Sequence, residues 1–170
     1  RFDQQDIVVA LQGGAFQTGR PVTYGQGDWN GDGYFDEQDL AAALDTADAI
    51  IMCPSNPVLS IEPLLVVPGV REKISNRRGV CIAVSPFIGG QALKGPAAKI
   101  MTELGMEVSP VGVARHLREV LTGFVLDHVD EAHQGMITDM GLRTLVTGTV
   151  MLNNEDRVKL AREVLDFAGS

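Results

Sequence analysis

Aromatic side chains are scarce in this chain: one Trp, two Tyr and six Phe, 5% of the residues. That excludes a stacking platform for single-stranded nucleic acid, which needs rings in series. Cysteine is scarcer still. Cys53 and Cys81 are the two present, both in apolar strand-like runs, and both read as buried thiols rather than a disulfide or metal pair. No apolar run approaches ~18 residues, so no membrane-spanning helix is expected, and no signal-peptide pattern opens the sequence as given. Positive charge is also short. The net charge is −8, with −6 on residues 1–47 and −2 on residues 48–170. An acidic head on a near-neutral body disfavours nucleic acid as a partner and suits a cation.

What is present begins with a loop. Residues 28–39 place Asp28, Asn30, Asp32, Tyr34, Asp36 and Asp39 at positions 1, 3, 5, 7, 9 and 12, with Gly33 at position 6. Ca²⁺ takes six to eight oxygens, and a 12-residue loop supplies them at this spacing, with Tyr34 giving its carbonyl and Gly33 the sharp turn. The last position is Asp rather than Glu, so its shorter reach requires the following helix to lie closer. Residues 1–11 repeat residues 34–44, with Asp3 matching Asp36 and Asp6 matching Asp39. Each copy runs into a short helix with Ile7 and Leu11, or Leu40 and Leu44, on one face. These features resemble dockerin-type repeats. The resemblance covers residues 1 to about 44 and implies an extracellular, calcium-folded module that binds a protein partner, with its first loop truncated.

From Asp48 onward the pattern changes. Ala49–Cys53, Val80–Val84, Phe124–Asp127 and Thr144–Thr147 are continuous apolar runs of strand length. Helical patterns separate them over Pro68–Asn76, Pro96–Leu104, Val111–Leu121, Glu131–Met140 and Glu155–Ala168, punctuated by Pro and Gly. The expected fold is α/β: a partial Rossmann-like parallel sheet with helices on both faces, preceded by a small loop–helix calcium-binding unit. The domains are read as 1–44 and 45–170. Two turns occupy the strand ends where such sheets bind ligands. Pro54-Ser55-Asn56-Pro57 presents a hydroxyl and an amide. Ser85 to Pro96 offers Gly89 and Gly90 for close backbone approach, Lys94 for charge, and Gly95 opening a helix. Two readings stay open for them: an anion or nucleotide site, or ordinary strand-to-helix connections. His116, beside Arg115 and Arg118, reads as part of a solvated basic face. His128 and His133 flank Asp130 and Glu131, where a metal site is conceivable but the lesser reading.

Three stretches carry a second resemblance: Ile51-Met-Cys-Pro-Ser-Asn-Pro-Val-Leu-Ser-Ile61, Ala83-Val-Ser-Pro-Phe-Ile-Gly-Gly-Gln-Ala-Leu-Lys-Gly-Pro-Ala97 and Val108-Ser-Pro-Val-Gly-Val-Ala-Arg-His116. They are similar to 2-phospho-L-lactate transferase, an enzyme of coenzyme F-420 biosynthesis, from about residue 42 to the end. The resemblance implies transfer of a phospholactyl (or phosphoenolpyruvyl) group from a guanosine diphosphate donor to a deazaflavin alcohol, with release of GMP and assistance from Mg²⁺. Ser55, Asn56, Ser85, Gly89, Gly90, Lys94 and Gly95 would then contact the donor; no catalytic residue is assigned. The family's Gly-rich first unit and its Asp-rich metal stretches have no counterpart here, and Gly148 stands where the family commonly has an acid. The expectation is therefore a C-terminal part that lacks the Mg²⁺ ligands and turns over little by itself. The transferase part implies a cytoplasmic setting, the head an extracellular one. Two alternatives stay open: a dockerin-like binding module fused to a non-catalytic nucleotide-binding domain, and a generic nucleotide-binding domain. A homo-oligomer is compatible with either. The seam falls near residues 40–47 with no linker.

Overall fold

Four of the apolar runs pair as parallel strands. The computed structural model describes residues 14–77, 79–92 and 95–170. Its strands are β1 (Ala49–Met52), β2 (Val80–Val84), β3 (Phe87–Ile88), β4 (Gln91–Ala92), β5 (Gly123–Asp127) and β6 (Arg143–Thr147). The main sheet has the order β1-β2-β5-β6, every pair parallel, while β3 and β4 form a small antiparallel hairpin. The helices are α1 (Glu37–Thr46), α2 (Glu62–Leu65), α3 (Val70–Asn76), α4 (Ala97–Glu103), α5 (Pro110–Leu117), α6 (Gln134–Thr138) and α7 (Asn154–Gly169). The chain divides into two units: residues 14–48 with Val67–Arg77, and Ala49–Val66 with residues 79–170.

In the larger unit, alternation along the strands sorts the core. Ile82, Val84 and Val125 point to one face and pack against Leu160 and Val164 of α7, with Ile51, Leu145 and Phe167 at the margin. Cys81, Ala83, Phe124 and Leu126 take the other face and are equally buried. A parallel sheet buried on both faces explains why its strands read as continuous apolar runs. The start of α7 is fixed by a capping box. Asn153 Oδ1 accepts the Asp156 N–H at 2.9 Å, and Asp156 Oδ2 accepts the Asn153 N–H at 3.2 Å. Its end is held by Arg143, whose guanidinium lies 4.8 Å from the centre of the Phe167 ring. Helix α5 is capped by the Ser109 hydroxyl, which accepts the Gly112 N–H at 3.1 Å. Gly112 is required there, because an added Cβ would overlap the Glu107 backbone carbonyl. Beside it, the Ser109 hydroxyl and then Arg115 hold the Glu107 carboxyl below the usual carboxylate range.

In the smaller unit, Phe35 is buried between the edges of Phe16 and Trp29, with ring centroids 5.0 and 5.2 Å away. Gly27 (φ +120°) lies so close to the Phe35 ring that no side chain fits. Lys73 of α3 pairs with Asp45 of α1, and Arg77 donates to the Leu44 and Ala47 carbonyls at the end of α1. These ties join Val67–Arg77 to the smaller unit, although its sequence position suggested the sheet-bearing body.

Several boundaries differ from the sequence reading, each for a local reason. Helix α3 starts at Val70 rather than Pro68 because Gly69 before it is left-handed (φ +81°). The pattern over Val111–Leu121 divides into α5 and a 3₁₀ turn at Arg118–Val120. Winding expected from Glu131 starts earlier, as a 3₁₀ turn at His128–His133, because Asp127 caps it directly at the strand end. Cys53 is exposed, correcting the reading of two buried thiols: β1 ends at Met52, so Cys53 steps out of the sheet, while Cys81 stays buried within β2. The truncated first repeat, residues 1–11, lies outside the described residues.

Candidate functional site

Strands β1 and β2 are parallel neighbours, with Met52 opposite Ala83. The two corners singled out in the sequence therefore leave the same edge of the sheet side by side. At the first corner, Pro57 opens a π-helical turn (Pro57–Ile61) that leads into α2. Asn56 caps it: its Oδ1 accepts the N–H groups of Val58 and Leu59, each at 3.0 Å. Its Nδ2 is buried and has no partner among the described residues, an unmet donor at the strand-end rim. Ser55 is half-buried beside it.

The second corner is built differently from the open phosphate-binding loop that its glycines suggested. Phe87–Ala92 is a hairpin, and Gly89 (φ +59°) and Gly90 (φ +74°) are its two turn residues, both left-handed as this tight turn demands. Ser85 is fully buried. Its hydroxyl donates to the Phe87 carbonyl at 2.9 Å and accepts the Phe87 N–H at 3.1 Å, so it shapes the corner from inside. The Gly89 N–H is committed to the Asp130 carboxylate, at 3.1 and 3.0 Å to its two oxygens. Gly95 is left-handed (φ +76°) ahead of α4, and Lys94 lies outside the described residues. His116, expected on a solvated face, is half-buried, with Nε2 3.3 Å from Glu62 Oε1.

Two buried carboxylates to which the sequence reading gave no role organise this rim from the end of β5 and the 3₁₀ turn after it. Asp127 ends the strand. Its Oδ2 accepts the Thr149 N–H at 2.7 Å and the Thr149 hydroxyl at 3.1 Å, and its Oδ1 accepts the Val129 N–H at 3.1 Å. Burial pushes the Asp127 carboxyl up, but these donors outweigh it and hold the group below the usual carboxylate range. Three residues on, Asp130 reaches the hairpin, with His133 Nδ1 3.8 Å away. The available signal was an acid closing an otherwise apolar strand, Phe124-Val-Leu-Asp127: a charge there needs partners.

Residues 35–159 match the family described as 2-phospho-L-lactate transferase CofD. The chain belongs to this family. It is 33% identical to the 2-phospho-L-lactate transferase of Methanocaldococcus jannaschii over 75% of this chain and 40% of the relative. It is 38% identical to the same-named protein of Methanosarcina acetivorans over 72% and 39%. It is 33% identical to the phosphoenolpyruvate transferase of Streptomyces griseus over 74% and 40%. The chain thus spans about two-fifths of the length of these transferase relatives. The family match begins at residue 35, ahead of the expected seam, and takes in Asp36 and Asp39 of the calcium spacing.

Among the described residues no group of three or more His, Cys, Asp or Glu side chains converges as a metal site. At the strand ends, the carboxylates of Asp127 and Asp130 accept N–H and O–H donors of the protein itself. In the loop, Asp28 accepts the Gly31 N–H, Asn30 that of Asp32, Asp32 that of Tyr34, and Asp36 that of Gln38. Gly33 is left-handed (φ +90°). Asp39 is fully buried, and its two oxygens accept the N–H groups of Trp29, Asn30 and Asp36. The loop is curled as the spacing demands, but its last carboxylate is spent on backbone donors. Among the described residues no helix is long and apolar enough to cross a membrane.

Proposed function

We propose that residues 35–159 form part of a transferase that moves a phospholactyl or phosphoenolpyruvyl group from a guanosine diphosphate donor to a deazaflavin alcohol, releasing GMP. The family match supports the reaction class, and the relatives include both a 2-phospho-L-lactate transferase and a phosphoenolpyruvate transferase. The observation that carries the site is the adjacency of the two corners at the carboxyl ends of β1 and β2, the edge where parallel α/β sheets bind ligands. In this reading Ser55, the unpartnered Nδ2 of Asn56 and the backbone of Gly90 and Gly95 face the diphosphate, with Lys94 supplying charge. Ser85 and Gly89 shape the corner. Attack of the acceptor hydroxyl on the distal phosphorus expels GMP, and the protein's part is to position the groups and to stabilise the developing charge. A cytoplasmic setting belongs to this reading. The chain spans about two-fifths of the relatives' length, and by itself it is expected to bind donor but to make little or no GMP.

Calorimetric titration of the chain with guanosine 5′-diphosphate tests the proposal. Saturable binding that is weakened by Ser55→Ala and by Lys94→Ala supports it. No binding, or equal binding of adenosine 5′-diphosphate, counts against it and favours a generic nucleotide domain.

A second reading concerns the head: a dockerin-like calcium module that meets a protein partner. The turn-by-turn curl of residues 28–36 and the left-handed Gly33 support it. Calcium would have to draw Asp39 from its three N–H donors.

A further inference from the structure

We infer that Asp130 is a positioning residue for donor binding: it fixes the glycine tip of the Phe87–Ala92 hairpin at the strand-end rim. This rests on the donor-site reading above. A hairpin with two residues per strand has too few ladder bonds to set its own direction. Tertiary ties must do so. At the base the tie is apolar and local: Phe87 is fully buried, and Ser85 bonds the Phe87 backbone on both sides. At the tip the tie crosses to the 3₁₀ turn that follows β5. Asp130, 3% exposed, holds the Gly89 N–H with both oxygens, and the Val129 side chain lies against Gly89, 3.4 Å from where a Cβ would stand.

Burying a carboxylate is expensive, and this one has little return in the core. Among the described residues its polar contacts are one backbone N–H and a histidine 3.8 Å away, well short of a carboxylate's accepting capacity. The element it holds adds nothing to the main sheet. Such a charge is better explained by the direction it imposes on the tip. A charged acceptor makes a stronger hydrogen bond than a neutral one, so the carboxylate suits a short, exposed turn that must not swing. A consequence follows for the donor site. The Gly89 N–H already serves an anion of the protein, so diphosphate oxygens are left to Gly90 and to the Pro54–Pro57 corner.

The test uses the full chain, with Asp130→Ala and Asp130→Asn, and guanosine 5′-diphosphate as probe. Amide exchange of Gly89 by NMR reports the tip, calorimetry reports affinity, and melting temperature reports the fold. Asp130→Ala is expected to speed exchange at Gly89 and to weaken the diphosphate roughly tenfold. Asp130→Asn keeps a neutral acceptor and should lie within about threefold of the wild type in affinity, with intermediate exchange. A lowered melting temperature with affinity unchanged within twofold would mean a merely structural role and overturn the inference. If the alanine variant does not fold, the asparagine variant decides: unchanged exchange at Gly89 overturns it. Failure of the wild-type chain to bind the diphosphate would instead remove the donor site, and this inference with it.

Discussion

Replacing Asp127 with alanine should be among the most damaging single changes in the larger unit. The side chain is 5% exposed and accepts three hydrogen bonds, two from Thr149 and one from Val129. Thr149 is itself 1% exposed, so its N–H and hydroxyl would be left without partners in the interior. A buried donor stripped of its acceptor costs about 1–3 kcal/mol, and loss of the cap at the 3₁₀ turn adds about 1 kcal/mol. Because the donors share one carboxylate the terms are not independent, and a total of roughly 3–4 kcal/mol is expected. Urea unfolding of wild type and Asp127→Ala, with unchanged slope, measures it. A loss below about 1 kcal/mol would refute the reasoning. The same carboxyl sets an acid limit. Its folded value is held below the ordinary one, so the unfolded chain takes up the proton first as pH falls. Its contribution is complete above the ordinary carboxylate range and is lost as pH drops from there through the depressed folded value. Asp127→Ala should lack that part of the acid destabilisation, and parallel pH titrations of stability show whether it does.

Two further outcomes are expected. Gly112→Ala forces a Cβ into the Glu107 carbonyl at the start of α5 and should destabilise by about 1–3 kcal/mol, as overpacking does; an unchanged urea midpoint would contradict the packing. Calcium added to the full chain should raise far-ultraviolet helicity if it recruits Asp39, and Asp28→Asn together with Asp32→Asn should abolish the gain; a spectrum indifferent to millimolar calcium would end the calcium reading of the loop.

The strands were legible because a parallel sheet covered on both faces leaves no polar alternation to hide them, as Val80–Val84 illustrates. The corner at Pro54–Pro57 was legible because proline and asparagine act locally, by fixed backbone geometry and side-chain capping. The hairpin was not. Gly89 and Gly90 announce a left-handed turn, but whether that turn wraps a phosphate or closes two short strands depends on what accepts the Gly89 N–H, and the acceptor lies 41 residues away. The same holds for Val67–Arg77, whose membership is decided by Lys73 and Arg77 reaching α1.

The sequence by itself determined the four strands of the main sheet, the turn residues and the family, since these follow from short-range periodicity, backbone preference and matched motifs. Tertiary structure alone decided which strand tips are neighbours and which amides are already taken. It also turned Asp127 and Asp130 from charges without an assigned role into the supports of the rim, because a buried carboxylate's role is set by the donors that distant parts of the chain bring to it.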